Sequence, residues 1–364
     1  MLMNICLVAD DNFTEYVYLL IFSVLYNSNK DDNFVFHIID LDIKESNKYI
    51  LEELKEVKKF ELKFYKPINI EKYKKWDEYF KKHNKVYKWN YSIFLKLEIP
   101  ILLKDVDKVL YLDSDQVILC SLDKAFKINI TNYYMLVLQA SQHSCSFLYT
   151  EEFSFIRKWL EEIGLSAKYY IFGGFMIFNI KHILDKIGID MYYKAIDDCF
   201  NMYKDYIFTE EHVLSYIFKK EVAYIDNNFD INSSWPAKYD SKIFDLIHYG
   251  GRTFPLSLNY NFFLPENEYV ILWEYFNRTK LFNNNIFTYN YIFWSNIFKY
   301  KSIEYKNNIE NLNDIIINRD IECRHNIEKL YKSIKKLIDI IVWFIPIKII
   351  RDKLREKIIK KIEL

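Results

Sequence analysis

The chain has 364 residues, 51% of them hydrophobic, and its 50 Lys/Arg cancel its 50 Asp/Glu. That length buries a large core and admits one large domain with an extension, or two domains, while zero net charge excludes a nucleic-acid partner recruited by bulk charge. Five cysteines without CxxC spacing argue against a disulfide framework or a structural zinc site and fit a reducing compartment.

In chain order, Met3–Val8 reads as a buried strand. It runs directly into Ala9-Asp10-Asp11-Asn12, a polar turn, so the apolar start does not have the h-region of a signal peptide. Short apolar runs recur at Asn33–Ile39, Glu61–Tyr65, Lys108–Leu112 and Tyr134–Leu138. Helical stretches lie between them near Tyr16–Tyr26, Ser46–Val57 and Ile93–Leu103. This alternation predicts an α/β fold with a mainly parallel mixed sheet covered by helices. The aromatic-basic stretch Lys72–Trp89 reads either as an amphipathic helix or as part of an acceptor cleft. Further on, Tyr169–Asn179 is an apolar strand interrupted by Gly173-Gly174. A helix opens on Glu210, Glu211 and His212, a strand follows at Val222–Ile225, and the run from Ile243 ends in His248-Tyr249-Gly250-Gly251 before Arg252.

Ligands of such sheets bind beyond the carboxyl ends of the strands. Two polar strand ends therefore stand out: Asp10-Asp11-Asn12 after the first strand and Asp113-Ser114-Asp115 after the fourth. The one-residue spacing puts Asp113 and Asp115 on one side of an extended backbone. There they suit a hard cation such as Mg²⁺ or Mn²⁺; capping of a solvated turn is the plainer alternative. His248 at a strand end suits a third metal ligand or the cap of a turn. Of the six glycines, four form the pairs Gly173-Gly174 and Gly250-Gly251, which marks places where a backbone comes close to a phosphate or to another group. The segment Leu110–Val117 also resembles the nucleophile motif of haloacid-dehalogenase-type phosphotransferases, in which Asp113 would attack phosphorus.

Taken in order over about residues 3–256, these segments resemble glycosyltransferase family 8, which includes bacterial lipopolysaccharide galactosyl- and glucosyltransferases and glycogenin. Asn4–Phe13 is similar to the family's opening strand and uridine-binding turn. Tyr170–Asn179 is similar to its "FNAGVLLIN" strand, Thr209–Ser215 to its "DQDILN" helix and His248–Gly251 to its "HYxG". The resemblance implies the nucleotide-diphospho-sugar transferase fold (A-type glycosyltransferase), with a helical C-terminal extension. It also implies a UDP-sugar donor, Mn²⁺ (or Mg²⁺) and retention of anomeric configuration. Residue by residue it places Val8, Ala9, Asp10 and Asn12 on the nucleoside. Asp113, Ser114, Gly173, Gly174 and Gly251 then lie along the donor, and Asp113, Asp115 and His248 lie on the metal. Glu211 takes the place of the family's Gln on the reacting face of the sugar, with Glu210 positioning beside it. Three polar family positions fall on Phe94, Phe172 and Phe254, and Gln139 stands where an acid is expected. Arg252 is the candidate to supply the missing cation to the diphosphate.

Three regions are expected: a catalytic domain over 1–260, an aromatic, mostly helical extension over 261–328 and a basic amphipathic tail over 329–364. From Lys329 onward there are eleven Lys/Arg and four Asp/Glu. The apolar stretch Leu337–Ile350 is too short to cross a bilayer. With Trp343, Phe344 and flanking cations it suits a helix lying on an anionic membrane, or else one packed on the protein. The function expected is transfer of a hexose, glucose or galactose, to a glycan or glycolipid acceptor in lipopolysaccharide or cell-surface polysaccharide synthesis. The protein would work at the inner, cytoplasmic face of the cell membrane, with no nucleic acid involved. The alternatives are the phosphotransferase and a sugar-nucleotide-binding protein that has lost catalysis.

Overall fold

Strand β1 (Leu2–Asp10) pairs in parallel with β2 (Asn33–Leu41), and β2 with β3 (Glu61–Tyr65). β1 and β2 carry apolar residues on both faces because helices cover both sides. α1 (Thr14–Tyr26) is buried along most of its length, as an all-round apolar helix must be. His37 is enclosed within the sheet, its ring nitrogens 2.9 Å from the Tyr65 hydroxyl and 3.0 Å from Asn4 Oδ1. Burial lowers its pKa to about 4, so it is neutral. The computed structural model describes residues 1–83, 89–139, 151, 154–166, 169–205, 209–225, 231–233, 245–249, 256, 266–317, 323–343, 352–353 and 356–358.

Two helical expectations are corrected. Ser46–Val57 is not one helix: α2 (Glu45–Glu52) passes into a 3-10 turn, Glu53–Glu56. Ile93–Leu103 is a 3-10 stretch, Tyr91–Glu98, followed by the short α4 (Ile99–Leu102). Pro100 has no N–H to continue an α-helical ladder from the preceding turn, but it fits the first turn of a new helix. Between these lies α3 (Ile70–His83), amphipathic, whose Tyr73, Trp76 and Phe80 face inward.

β4 (Lys108–Leu112) joins the other side of β1, and after β5 (Gln116–Ile118), α5 (Asp123–Lys127), β6 (Met135–Gln139) and α6 (Ser154–Glu162) the chain returns as β7 (Ile171–Asn179). α7 (Ile180–Lys186), α8 (Ile189–Tyr203), α9 (Glu210–Phe218) and β8 (Val222–Ile225) complete the main sheet. Its order is β3-β2-β1-β4-β7-β6-β8, with β7 antiparallel to both neighbours and the other pairings parallel. The strand order reverses direction between β1 and β4, the switch point at which a crevice opens.

A second, small sheet has the order β5-β10-β9, made with β9 (Ile231–Ser233) and β10 (Leu246–His248). β10 runs antiparallel to β5 and sets His248 opposite Gln116. α10 (Glu266–Phe276), α11 (Lys280–Asn284), α12 (Ile286–Ile317) and α13 (Cys323–Trp343) follow. The chain divides into two compact units, Met1–Phe293 and Trp294–Leu364. In the first, Tyr289 donates to Glu15 and so fastens α12's start to α1. In the second, Ile334 and Ile338 of α13 pack with Phe298, Tyr305, Leu330 and Ile358. Among the described residues no helix is long and apolar enough to cross a membrane.

Candidate functional site

The polar ends of β1 and β4 flank the switch point. Asp10 closes β1 and caps the next turn, its Oδ1 accepting from the N–H groups of Asn12 (3.0 Å) and Phe13 (3.1 Å). Ala9 is buried and Asn12 is exposed. Ser114 donates its hydroxyl to the Val8 carbonyl at 2.8 Å, tying the β4 turn to β1. Asp113 N–H donates to the Gly174 carbonyl at 3.2 Å, and the Gln116 side-chain amide donates to the same oxygen at 2.7 Å. The turn carrying both aspartates is thus pinned from two sides.

β10 brings the imidazole. With His248 opposite Gln116 and the Tyr249 N–H on the Asp115 carbonyl at 2.9 Å, His248 Nε2 lies 3.4 Å from Asp113 Oδ2 and 3.2 Å from Asp115 Oδ1. One ligand atom from each of the three residues lies within 4.8 Å of the others. Asp115 Oδ2 is buried and has no hydrogen-bond partner among the described residues. A buried carboxylate oxygen left without a donor is costly, and a cation is what would satisfy it. Two carboxylates and an imidazole suit Mn²⁺ or Mg²⁺, so the residues fit the metal. Burial alone would raise the Asp113 carboxyl, but Lys96, His248 and Tyr111 outweigh it and hold it below the usual range. Burial would lower His248, yet the two aspartates beside it raise it.

Next to this triad is a buried ion cluster that sequence reasoning missed. Lys96, 6% exposed, places its ammonium 2.9 Å from Asp113 Oδ1, 2.5 Å from Glu210 Oε1 and 3.3 Å from the Gly173 carbonyl. An ammonium has three N–H donors, and these three acceptors take them all. Tyr111 donates its hydroxyl to the same Asp113 oxygen at 2.7 Å, with the Lys96 ammonium 4.9 Å above its ring. Asp113 is therefore fixed through Oδ1, leaving Oδ2 toward His248. Burial opposes the charge on Lys96, but Asp113 and Glu210 raise its pKa above the ordinary value. Burial pushes the Glu210 carboxyl up, against the pull of Lys96.

Phe94, on which a polar family position falls, lies in the core rather than on the site. It is fully enclosed, with ring centroids 5.5 Å from Trp76, 5.8 Å from Phe80 and 6.1 Å from Tyr73. The cation reaches the site two residues later, from Lys96. A lone lysine among Leu95, Leu97 and Ile99 was the signal available in the sequence.

Glu210 and Glu211 open α9 side by side. Glu210 is 3% exposed and turned to Lys96, while Glu211 is partly exposed. Glu211 accepts from the Tyr170 hydroxyl on Oε2 and from the Gly173 N–H on Oε1, both at 2.7 Å. Burial, then the charge of Glu210, pushes its carboxyl up to about 7, against these donors. A Cβ at Gly173 would lie 2.5 Å from Glu210 Oε1 and 3.0 Å from Glu211 Oε1, so any larger residue would push these carboxylates from their places. Behind them His212 is enclosed and neutral, its pKa lowered by burial to about 3.

The structure thus gathers Asp113, Asp115 and His248 into one cluster, and joins Glu210, Glu211, Gly173 and Gly174 to it through Lys96 and backbone bonds. Val8 and Ser114 reach it through the β1 tie. Gly250, Gly251, Arg252 and Phe254 lie outside the described residues, as do the side chains of Phe172 and Gln139.

The family model for glycosyl transferase family 8 matches residues 4–255. A Haemophilus influenzae protein named as a glycosyltransferase is 25% identical over 232 residues, which are 63% of this chain and 63% of that protein. The match thus spans less than two thirds of that relative's length. The galactosyltransferase LgtC, solved in complex with donor and acceptor sugar analogues, has a TM-score of 0.58 at 19% identity, covering 78% of this chain and 99% of LgtC. GlyE of Streptococcus pneumoniae has a TM-score of 0.51 at 15% identity, covering 83% and 64%. Both likenesses are of fold.

Proposed function

The chain belongs to glycosyl transferase family 8, and from that premise we propose that it is a retaining hexosyltransferase acting on a UDP-sugar. The observation that carries this reading is the convergence of Asp113, Asp115 and His248 at the switch point. A divalent cation held by these three would supply the positive charge on which a diphosphate leaving group depends. Asp10 and Asn12, with the backbone of Val8 and Ala9, receive the nucleoside. Ser114, Gly173 and Gly174 line the donor's path, and Gly251 and Arg252 are assigned to the diphosphate. Glu211 contacts the reacting sugar, with Glu210 and Lys96 fixing the wall beside it. The phosphotransferase alternative loses its ground, since the family match includes Asp113 and Asp115 themselves.

The donor is a UDP-hexose, glucose or galactose, and the acceptor a glycan or glycolipid of lipopolysaccharide or cell-surface polysaccharide synthesis. The tail supports work at the cytoplasmic face of a membrane. On α13, Tyr331, Leu337 and Ile340 are exposed among Lys332, Lys335 and Lys336, which suits an anionic surface. Flotation with vesicles containing anionic lipid, reversed by salt, tests that part.

The reaction is tested by incubating the protein with Mn²⁺ and a panel of UDP-, GDP- and CMP-sugars and measuring nucleotide release. One UDP-sugar is expected to be turned over. Asp115→Asn should lower Mn²⁺ affinity by about 100-fold or more, since even substitutions behind the ligands cost 10–100-fold. Binding of UDP without turnover of any sugar would instead indicate a binding protein that has lost catalysis. Absence of UDP binding would remove the reading.

A further inference from the structure

Glu211 is held by two donors, one on each carboxylate oxygen: the Tyr170 hydroxyl on Oε2 and the Gly173 N–H on Oε1. With a donor on each oxygen the cradle suits a carboxylate, at a position where the family pattern has Gln; an amide would keep both bonds only if the Tyr170 hydroxyl turned its proton to His212 or Thr209 and accepted from the NH₂. Glu98 shows what a purely structural acid looks like in this chain. It also accepts from two N–H groups, those of Ile68 at 2.7 Å and Asn69 at 2.6 Å, but it is completely enclosed at the start of α3. Glu211 keeps an open side and borders the acid-lysine cluster.

The Tyr170 hydroxyl is itself set in polar surroundings. It lies 3.4 Å from His212 Nδ1 and 3.5 Å from Thr209 Oγ1, which are 2.8 Å from each other. The ring is 1% exposed and meets His212 edge-on at 5.5 Å between centroids. Among the described residues, the titratable groups around Glu211 are Glu210 and His212 on its own helix, Lys96 from the 3-10 stretch and Tyr170 ahead of β7. Burial and Glu210 disfavour the charge; Tyr170, the Gly173 N–H and Lys96 favour it.

We propose that Tyr170 is a positioning residue that, together with the Gly173 N–H, fixes Glu211 as an oriented carboxylate on the wall of the donor-sugar site. The role of that wall rests on the transferase reading; the hold on Glu211 does not. The test uses the full chain with carboxyl-labelled glutamate, with Glu211→Gln to assign the Glu211 signal. In Tyr170→Phe the Glu211 titration midpoint should rise by about one pH unit or more, the effect of losing one hydrogen bond to a charged group. The acid limb of kcat should move the same way, and kcat should fall with the donor KM unchanged within about twofold. In a Glu211→Gln background, Tyr170→Phe should change kcat no further. A Glu211 midpoint that stays put in a folded Tyr170→Phe overturns the proposal. Should that variant not fold, the native chain decides: the Tyr170 ring-carbon signal must titrate with the Glu211 midpoint, and independent titration overturns it. If the Glu211 signal moves but no UDP-sugar is turned over at any pH, the inference stands and the reading of the reaction fails.

Discussion

Replacing Lys96 by Met removes the ammonium but keeps an unbranched stem of similar volume. In the native chain that ammonium lies 2.9 Å from Asp113 and 2.5 Å from Glu210, with the lysine 6% exposed and Glu210 3% exposed. Removing one member of a buried ion pair leaves a charge without compensation, at about 3–5 kcal/mol. For a unit of this size, at about 2–4 °C per kcal/mol, the melting temperature should fall by roughly 6–20 °C. The deficit has a definite pH dependence. Without Lys96 both acids would be held above their unfolded pKa values, so the folded state would bind protons that the unfolded state does not. Stability then falls as pH rises, and the deficit should be largest above pH 7 and shrink toward pH 5. Glu210→Gln in the same chain removes one of the stranded charges, so Lys96→Met with Glu210→Gln should lose less than the single variant. Melting curves of the native chain and the two variants at pH 5, 7 and 8 provide the assay. A Lys96→Met protein that melts within about 2 °C of the native one at pH 8 would refute the buried-cluster argument.

Other consequences concern the glycine and the buried histidines. Gly173→Ala would put a Cβ 2.5 Å from Glu210 Oε1. It should cost about 1–3 kcal/mol of stability and lower kcat by at least about tenfold, because misplacement on the scale of 1 Å carries such penalties; native turnover in this variant would show that the Glu210–Glu211 wall is not needed in this position. His37 and His212, with pKa values lowered to about 4 and about 3 by burial, are neutral when folded and protonate more readily when unfolded. The unfolded chain therefore binds more protons below about pH 6.5. Each should remove up to about 1.4 kcal/mol of stability per pH unit as pH falls toward its folded value. Urea unfolding between pH 7 and 4.5 measures this, and a His37→Gln variant with the same slope as the native chain would sink the account for His37.

Much of the architecture could be read from the sequence because the main strands are buried on both faces. Such strands appear as short apolar runs that stop at polar turns. Glu61–Tyr65, Lys108–Leu112 and Val222–Ile225 coincide with the strands found. The helices before Pro100 and after Glu52 were harder, since 3-10 and α backbones share an apolar pattern and differ in which carbonyl accepts. Lys96 was missed for a different reason. Its acceptors come from positions 113, 173 and 210, which no local spacing connects. Two strands, β4 and β7, and the helix α9 have to assemble around the 3-10 stretch before its role exists. The surroundings of Phe94 were out of reach for the same reason, since its partners Tyr73, Trp76 and Phe80 belong to a helix more than a dozen residues earlier.

The metal-ligand cluster depends on register as much as on residue identity. Asp113 and Asp115 emerge from the main sheet, whereas His248 arrives through the small sheet, whose antiparallel pairing sets Leu246 against Ile118, Ile247 against Val117 and His248 against Gln116. Side chains alternate faces along a strand, so a slip of one residue in this three-residue pairing would turn His248 away from both aspartates. The apolar sequence opposes that slip. Val117, Ile118, Leu246 and Ile247 are each fully buried, and displacing the register would expose part of this set, at about 1.5–3 kcal/mol per side chain. The Tyr249 N–H on the Asp115 carbonyl continues the pairing one residue beyond His248. The hydrophobic pattern of two very short strands therefore fixes where the imidazole stands, and it does so without contributing an atom to the site.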